Sequence, residues 1–92
     1  MLTVKFTIAY KKSYKLMKKR GENLSLLEEV VDALRQGKVL DERFRDHELK
    51  GNLKGFRECH IQPDWLLIYL IENDILTLTL VDTGSHSDLL NL

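Results

Sequence analysis

The sequence predicts an α+β fold: an N-terminal strand and a helical hairpin packed on one face of an antiparallel meander sheet, closed by a short C-terminal helical turn. Three observations predict it. Residues 2–7 alternate apolar and polar with the period of a half-buried strand. Residues 8–34 change to helical spacing in two blocks, interrupted at Gly21 and followed by Gly37. Three apolar runs, at 56–61, 65–71 and 75–81, then follow one another at hairpin separations.

In the first strand Leu2, Val4 and Phe6 take one side and Thr3, Lys5 and Thr7 the other. From Ile8 to Arg20, Tyr10, Tyr14 and Met17 share one helix face while most lysines lie elsewhere. That spacing assigns the tyrosines to the core rather than to a surface for stacking bases. Ser25-Leu26-Leu27-Glu28 reads as a capping box, after which Leu27, Val30, Val31 and Leu34 repeat at i, i+3, i+4, i+7. The short link between the two helices makes them antiparallel. Residues 38–54 are polar and irregular, an active loop or a very short strand. Gln62-Pro63-Asp64 and Glu72-Asn73-Asp74 turn the meander, Thr83-Gly84 breaks the chain, and Ser85 with Asp88 starts the last helical turn. Helices on one face leave the other open for a polymer substrate.

Ninety-two residues, 43% hydrophobic and 30% charged, allow one domain spanning 1–92 with a modest core. Its stability is expected to be marginal or assisted by a partner. A single cysteine, Cys59, permits neither an internal disulfide nor a multi-cysteine metal cage, which fits a reducing cytoplasm. The first residues lack the pattern of a secretory signal. The longest apolar run, 65–71, falls far short of the roughly 20 residues that span a bilayer, so a soluble protein with no membrane association is expected. Net charge is zero, yet residues 1–20 carry seven Lys/Arg and no acid, and residues 61–92 carry five Asp/Glu and no Lys/Arg. Such a basic segment either attracts phosphates or is a solvated helix face.

All three histidines, His47, His60 and His86, fall in or beside strand ends and loops of the second half, with Asp64 close to His60. Metal-free RNA cleavage needs a base for the 2′-OH, an acid for the leaving 5′-oxygen and a cation for the phosphorane. Histidine, with a pKa of about 6.5, suits the first two tasks. Arg57, Lys54 and Lys50 are candidates for the third, the guanidinium matching phosphate geometry best. Three imidazoles and a carboxylate also form a conceivable metal set. No pair stands at i, i+4 and no cysteine cluster supports one, so neither metal nor other cofactor is expected. Cys59 alternates with His60 along a strand and should face the opposite, buried side.

The runs Asp46-His47-Glu48-Leu49-Lys50-Gly51, Lys54-Gly55-Phe56-Arg57-Glu58-Cys59-His60 and Pro63-Asp64-Trp65-Leu66-Leu67-Ile68-Tyr69 resemble the signature of the YafQ branch of the RelE/ParE toxin superfamily. The match is tight over 46–69 and looser across the rest of the chain. The resemblance implies a RelE-like fold and a ribosome-dependent, metal-independent endoribonuclease that cuts messenger RNA and is silenced by a cognate antitoxin of the RelB/DinJ kind. It carries His47, His60 and Asp64 over as catalytic residues, and His86 as the general acid; Asp64 or His47 would be the base or orient one. The sequence departs from the pattern twice. Leu90 stands where YafQ has an aromatic that contacts RNA, and Asp82 stands where it has an arginine, which leaves Arg57 most of the transition-state charge. A toxin of the same fold that blocks a target such as DNA gyrase without cutting RNA, as ParE relatives do, is the alternative.

Overall fold

A computed structural model of the chain describes residues 1–90, with the side chain of Leu90 outside the description. The elements run β1 (Thr3–Phe6), α1 (Ile8–Lys19), α2 (Leu24–Arg35), β2 (His47–Glu48), β3 (Arg57–Gln62), β4 (Trp65–Glu72), β5 (Thr77–Gly84) and α3 (His86–Leu90). Short 3-10 turns at Glu42–Phe44, Gly51–Leu53 and Asn73–Ile75 connect them.

The sheet order is β1-β5-β4-β3-β2. The meander β3-β4-β5 is antiparallel as the turns predict, and β2 extends it antiparallel at one edge. β1 joins the other edge parallel to β5, which makes the whole sheet mixed. A parallel neighbour requires a long connection, and the helical hairpin together with β2–β4 lies between β1 and β5.

Alternation along the strands sorts the side chains. Cys59, Ile61, Trp65, Leu67, Tyr69, Leu78 and Leu80 meet Tyr10, Met17, Leu27, Val30 and Leu34 of the hairpin in one core. Burying a leucine such as Leu27 completely contributes roughly 1.5–3 kcal/mol. The core face survives along β5 because the pairing shifts between Ile68 and Tyr69, so that Tyr69 opposes Leu80 while Ile68 opposes Asp82. Val81 is thus a bulge, and Leu78, Leu80 and Thr83 all reach the helix side despite their mixed parity. Thr83 uses that position to accept from the Trp65 indole Nε1–H at 2.9 Å and to donate to the Leu66 carbonyl at 2.7 Å.

Some boundaries differ from the sequence reading. The last strand begins at Thr77 and runs to Gly84 rather than spanning 75–81, because Asn73–Ile75 winds into a 3-10 turn ending on Leu76 in the left-handed region. α2 is capped by Asn23, whose Oδ1 accepts from the Ser25 N–H at 3.2 Å. Ser25 is not the cap; its hydroxyl instead donates to Asn23 at 2.6 Å. Both helices end as expected, with Gly21 (φ 78°) and Gly37 (φ 76°) supplying left-handed residues for Schellman closures. The face away from the hairpin is not bare, since Leu66 and Ile68 are buried there. Among the described residues no helix is long and apolar enough to cross a membrane.

Candidate active site

The sheet brings the sequence-predicted residues to one end in two groups. The first stands on β2 and β3. The register pairs His47 with Glu58 and His60 with Leu66, so His47, Glu58 and His60 share the face opposite Cys59. Glu58 Oε1 lies 3.7 Å from His47 Nε2 and 3.9 Å from His60 Nε2. Glu58 is 7% exposed, a carboxylate removed from water between two imidazoles. The His47 ring nitrogen Nδ1 lies 2.7 Å from the Arg45 carbonyl oxygen. A carbonyl only accepts, so Nδ1 is the donor of this bond, and in the neutral form of the ring Nε2 is the basic nitrogen.

The second group belongs to the β3–β4 turn and to α3. Asp64 Oδ1 accepts from the His86 backbone N–H at 2.9 Å and faces His86 Nδ1 at 2.6 Å. Those two bonds, the backbone one foremost, hold the Asp64 carboxyl below its ordinary range. An ionised Asp64 takes the Nδ1–H of His86, which makes Nε2 the ring's other nitrogen for proton transfer. The rings of His86 and His60 lie 5.6 Å apart at 59°, which joins the two groups.

A five-residue helix cannot hold itself, so its placement comes from its ends. Ser85 and Asp88 form the expected reciprocal cap: the Asp88 N–H donates to Ser85 Oγ at 3.1 Å and the Ser85 N–H to Asp88 Oδ2 at 2.9 Å. Arg20, at the end of α1, grips Asp88 with two bonds of 2.6 and 3.0 Å. The guanidinium, more than the cap, drives the Asp88 carboxyl far below its usual range. Gly84 must stay small, because a Cβ there would stand 2.9 Å from that of Asp88.

The candidate cations are placed differently from the histidines. Arg57 pairs with Tyr69 in the register and donates to both oxygens of Asp46 at 3.3 Å. Alternation points it to the face opposite Glu58 and His60. Lys50 and Lys54 flank the Gly51–Leu53 turn and are exposed. Arg43 and Arg45 line a cleft of about 480 Å³ that opens onto His60 between the Glu42–Phe44 turn and α2. Asp82 accepts from Ser13 Oγ at 2.5 Å and from the Thr83 N–H at 2.8 Å, stitching α1 to β5. The lysines of α1 are exposed, and through Arg20 the basic helix abuts the His86 end of the site. Cys59 is fully buried, which pushes its thiol up to about 12 and makes it no nucleophile.

Glu58 is the residue the sequence reading passed over. It alternates with His60 on a strand whose intervening Cys59 faces the core, and that alternation was the available signal. The side chain of Leu90 falls outside the described residues.

A small RelE-like α+β domain carrying a histidine–carboxylate site at one end of its sheet defines a toxin of the RelE/ParE class. Residues 2–91 match the family described as bacterial toxin of type II toxin-antitoxin system, YafQ, and the chain belongs to that family. It is similar to the mRNA interferase toxin YafQ of Escherichia coli K12, 32% identical over 87 residues that cover 94% of this chain and 92% of the relative. Among solved structures it resembles a metal-bound toxin from Helicobacter pylori, with a TM-score of 0.91, 46% identity, and coverage of 97% and 99% of the two chains. It also resembles a chain of the E. coli DinJ–YafQ toxin-antitoxin complex, with a TM-score of 0.87, 31% identity, and coverage of 96% of each.

Proposed function

We propose that this chain is the mRNA-cleaving toxin of a toxin-antitoxin pair, a ribosome-dependent endoribonuclease working by side-chain acid–base catalysis. The observation that carries the reading is the pairing of Asp64 with His86 beside the His47–Glu58–His60 group. The bare Nε2 of His47 takes the proton of a ribose 2′-OH. The freed oxygen attacks the adjacent phosphorus, and the P–O5′ bond breaks. His86, its Nδ1–H held by Asp64, gives the Nε2 proton of its imidazolium form to the departing 5′-oxygen. The products are a 2′,3′-cyclic phosphate and a 5′-hydroxyl. His60 and Glu58 keep the imidazoles apart and oriented.

The phosphorane charge calls for a cation. Lys50 and Lys54 are the proposed RNA contacts on the β2–β3 side, with Leu90 an apolar contact on α3; Arg57, expected from the sequence to share this task, faces away from the histidines and is held by Asp46. Arg43 and Arg45, lining the cleft beside His60, join the lysines in its place. The lysine face of α1 attracts the RNA or ribosomal backbone without reading sequence. The proposed partners are messenger RNA on the ribosome and a cognate antitoxin of the RelB/DinJ kind, which masks α1 or displaces α3. The toxin acts in the cytoplasm.

A metal-dependent reading draws on the Helicobacter pylori relative solved with a metal. Among the described residues no group of three or more His, Cys, Asp or Glu side chains, His47, Glu58 and His60 included, is arranged to hold an ion. One experiment addresses both readings: purified protein, either untreated or stripped with EDTA and then freed of it, added to magnesium-containing ribosomes programmed with a defined message, with primer extension of the cut ends. Cutting in the decoding site by the stripped protein supports the proposal. Cutting abolished by stripping replaces it with the metal mechanism. Cutting of naked message alone removes the ribosome from it, and no cutting in any arm leaves a non-catalytic, ParE-like toxin.

A further inference from the structure

β2 has two residues, pairs on only one side and sits at the sheet edge, yet it carries His47. So short a strand does not fix a side chain to the tolerance that proton transfer needs. The residues before it are unusual. Arg45 is a non-glycine residue in the left-handed region (φ 49°), a conformation that persists only when its surroundings impose it. Its carbonyl is the group that holds His47 Nδ1.

Between them stands Asp46. Alternation sends Asp46 through the sheet to the face opposite His47, where Arg57 donates to both its oxygens at 3.3 Å. The hydroxyl of Tyr69 donates to Asp46 Oδ1 as well. Tyr69 is 1% exposed and belongs to the core, so Asp46 is tied to the core. Burial of Tyr69 and its bond to Asp46 push the phenol up, keeping the O–H a donor.

We propose that Asp46, locked by Arg57 and Tyr69, is a positioning residue that sets the Arg45 carbonyl and thereby the orientation and tautomer of His47. The inference rests on the cleavage reaction above only for its consequence, because the lock itself is a property of the resting protein. The same arrangement gives Arg57 a structural task on the far face.

The test uses Tyr69→Phe, which keeps the ring in the core and removes one bond, Asp46→Ala, which removes all three, and Asp46→Asn, which retains an acceptor oxygen. Ring ¹⁵N spectra of His47 in the full chain are the first readout. In the wild type Nδ1 is protonated and Nε2 bare; in Tyr69→Phe and Asp46→Ala the two tautomers mix, and Asp46→Asn recovers part of the wild-type pattern. In cleavage assays on programmed ribosomes, Asp46→Ala lowers kcat on the order of ten- to a hundredfold with little change in KM, as expected of a misplaced group. In a His47→Ala background it lowers residual cleavage no further. Unchanged His47 signals in both variants, wild-type kcat in Asp46→Ala, or an equal loss in the His47→Ala background overturns the proposal. If the wild type cuts no RNA, the functional reading fails while the ring spectra still decide the lock.

Discussion

Replacing His86 by alanine removes the proposed general acid while leaving the core untouched, because the described contacts of its side chain are with Asp64 and His60. A positioned acid is worth roughly 10²–10⁴ in rate. At about 1.36 kcal/mol per decade, His86→Ala should raise the barrier by about 2.7–5.4 kcal/mol. Asp64→Ala is a different perturbation. It leaves the acid in place and frees a ring now fixed by a contact of 2.6 Å, together with the backbone N–H bond of 2.9 Å that His86 donates to the same oxygen. The freed imidazole has three χ1 wells and a two-fold χ2, roughly six orientations, so kcat should fall by roughly sixfold to tenfold. Because Asp64 acts only through His86, the double variant should be no slower than His86→Ala alone. Single-turnover cleavage on programmed ribosomes measures all three variants, with the fluorescence of Trp65 reporting that each is folded. If Asp64→Ala costs its full factor again in the His86→Ala background, or costs as much as losing His86, Asp64 has a role of its own and the acid-orienting argument is wrong.

Two further predictions concern stability. Thr83→Val leaves the buried Trp65 Nε1–H and the Leu66 carbonyl without their partner, and should cost about 1–3 kcal/mol in denaturant unfolding followed by tryptophan fluorescence; no change in midpoint would mean that both groups find other partners. The carboxyls of Asp64 and Asp88 are both held below the ordinary 3.8, so the folded state gains from them fully above that value and loses the gain as pH falls below it. α3 should therefore undock below pH 3.8, seen as a change in the emission of Trp65, which shares a cleft with Arg20, Asp64 and Ser85; an emission that does not move on further acidification contradicts this.

Most of the fold was legible because each element announced its period and its stop. The two glycine closures, the hairpin face of Leu27, Val30 and Leu34, and the Ser85–Asp88 cap are local properties, and local chemistry decides them. Cap choice at α2 was not, since Asn23 and Ser25 are both competent and only the chain's approach from Gly21 selects between them. The Val81 bulge was hidden as well: strict alternation cannot put both Leu80 and Thr83 on one face, and the extra residue shows only when β4 supplies the register. The same reason separates the parts of the site. His47, His60, Asp64 and His86 were visible as uncommon residues at strand ends. Glu58 and the Asp46–Arg57–Tyr69 lock depend on which residue lies opposite which, and a single sequence does not carry that pairing.

The two halves of the site differ in how firmly they are held, and the difference follows from the elements that bear them. Glu58 and His60 stand on β3, whose neighbour β4 is buried in the core, so moving them means opening the fold, while His47 on the edge strand is held through the Arg45 carbonyl. His86 stands on five residues fastened by a cap, by the Arg20–Asp88 pair and by the close approach at Gly84. The pair is partly exposed and screened by salt, so it contributes little to global stability while fixing where α3 lies. A segment that takes the place of α3 would therefore remove the proposed acid without disturbing the core or the proposed base. Asp82 extends the argument to α1, since its bond from Ser13 anchors the helix that presents Arg20. An arginine there would carry charge toward phosphate but could not accept from Ser13. In this chain that position serves the placement of α3, and on the proposed function the cations for RNA come from the β2–β3 side and the cleft beside His60.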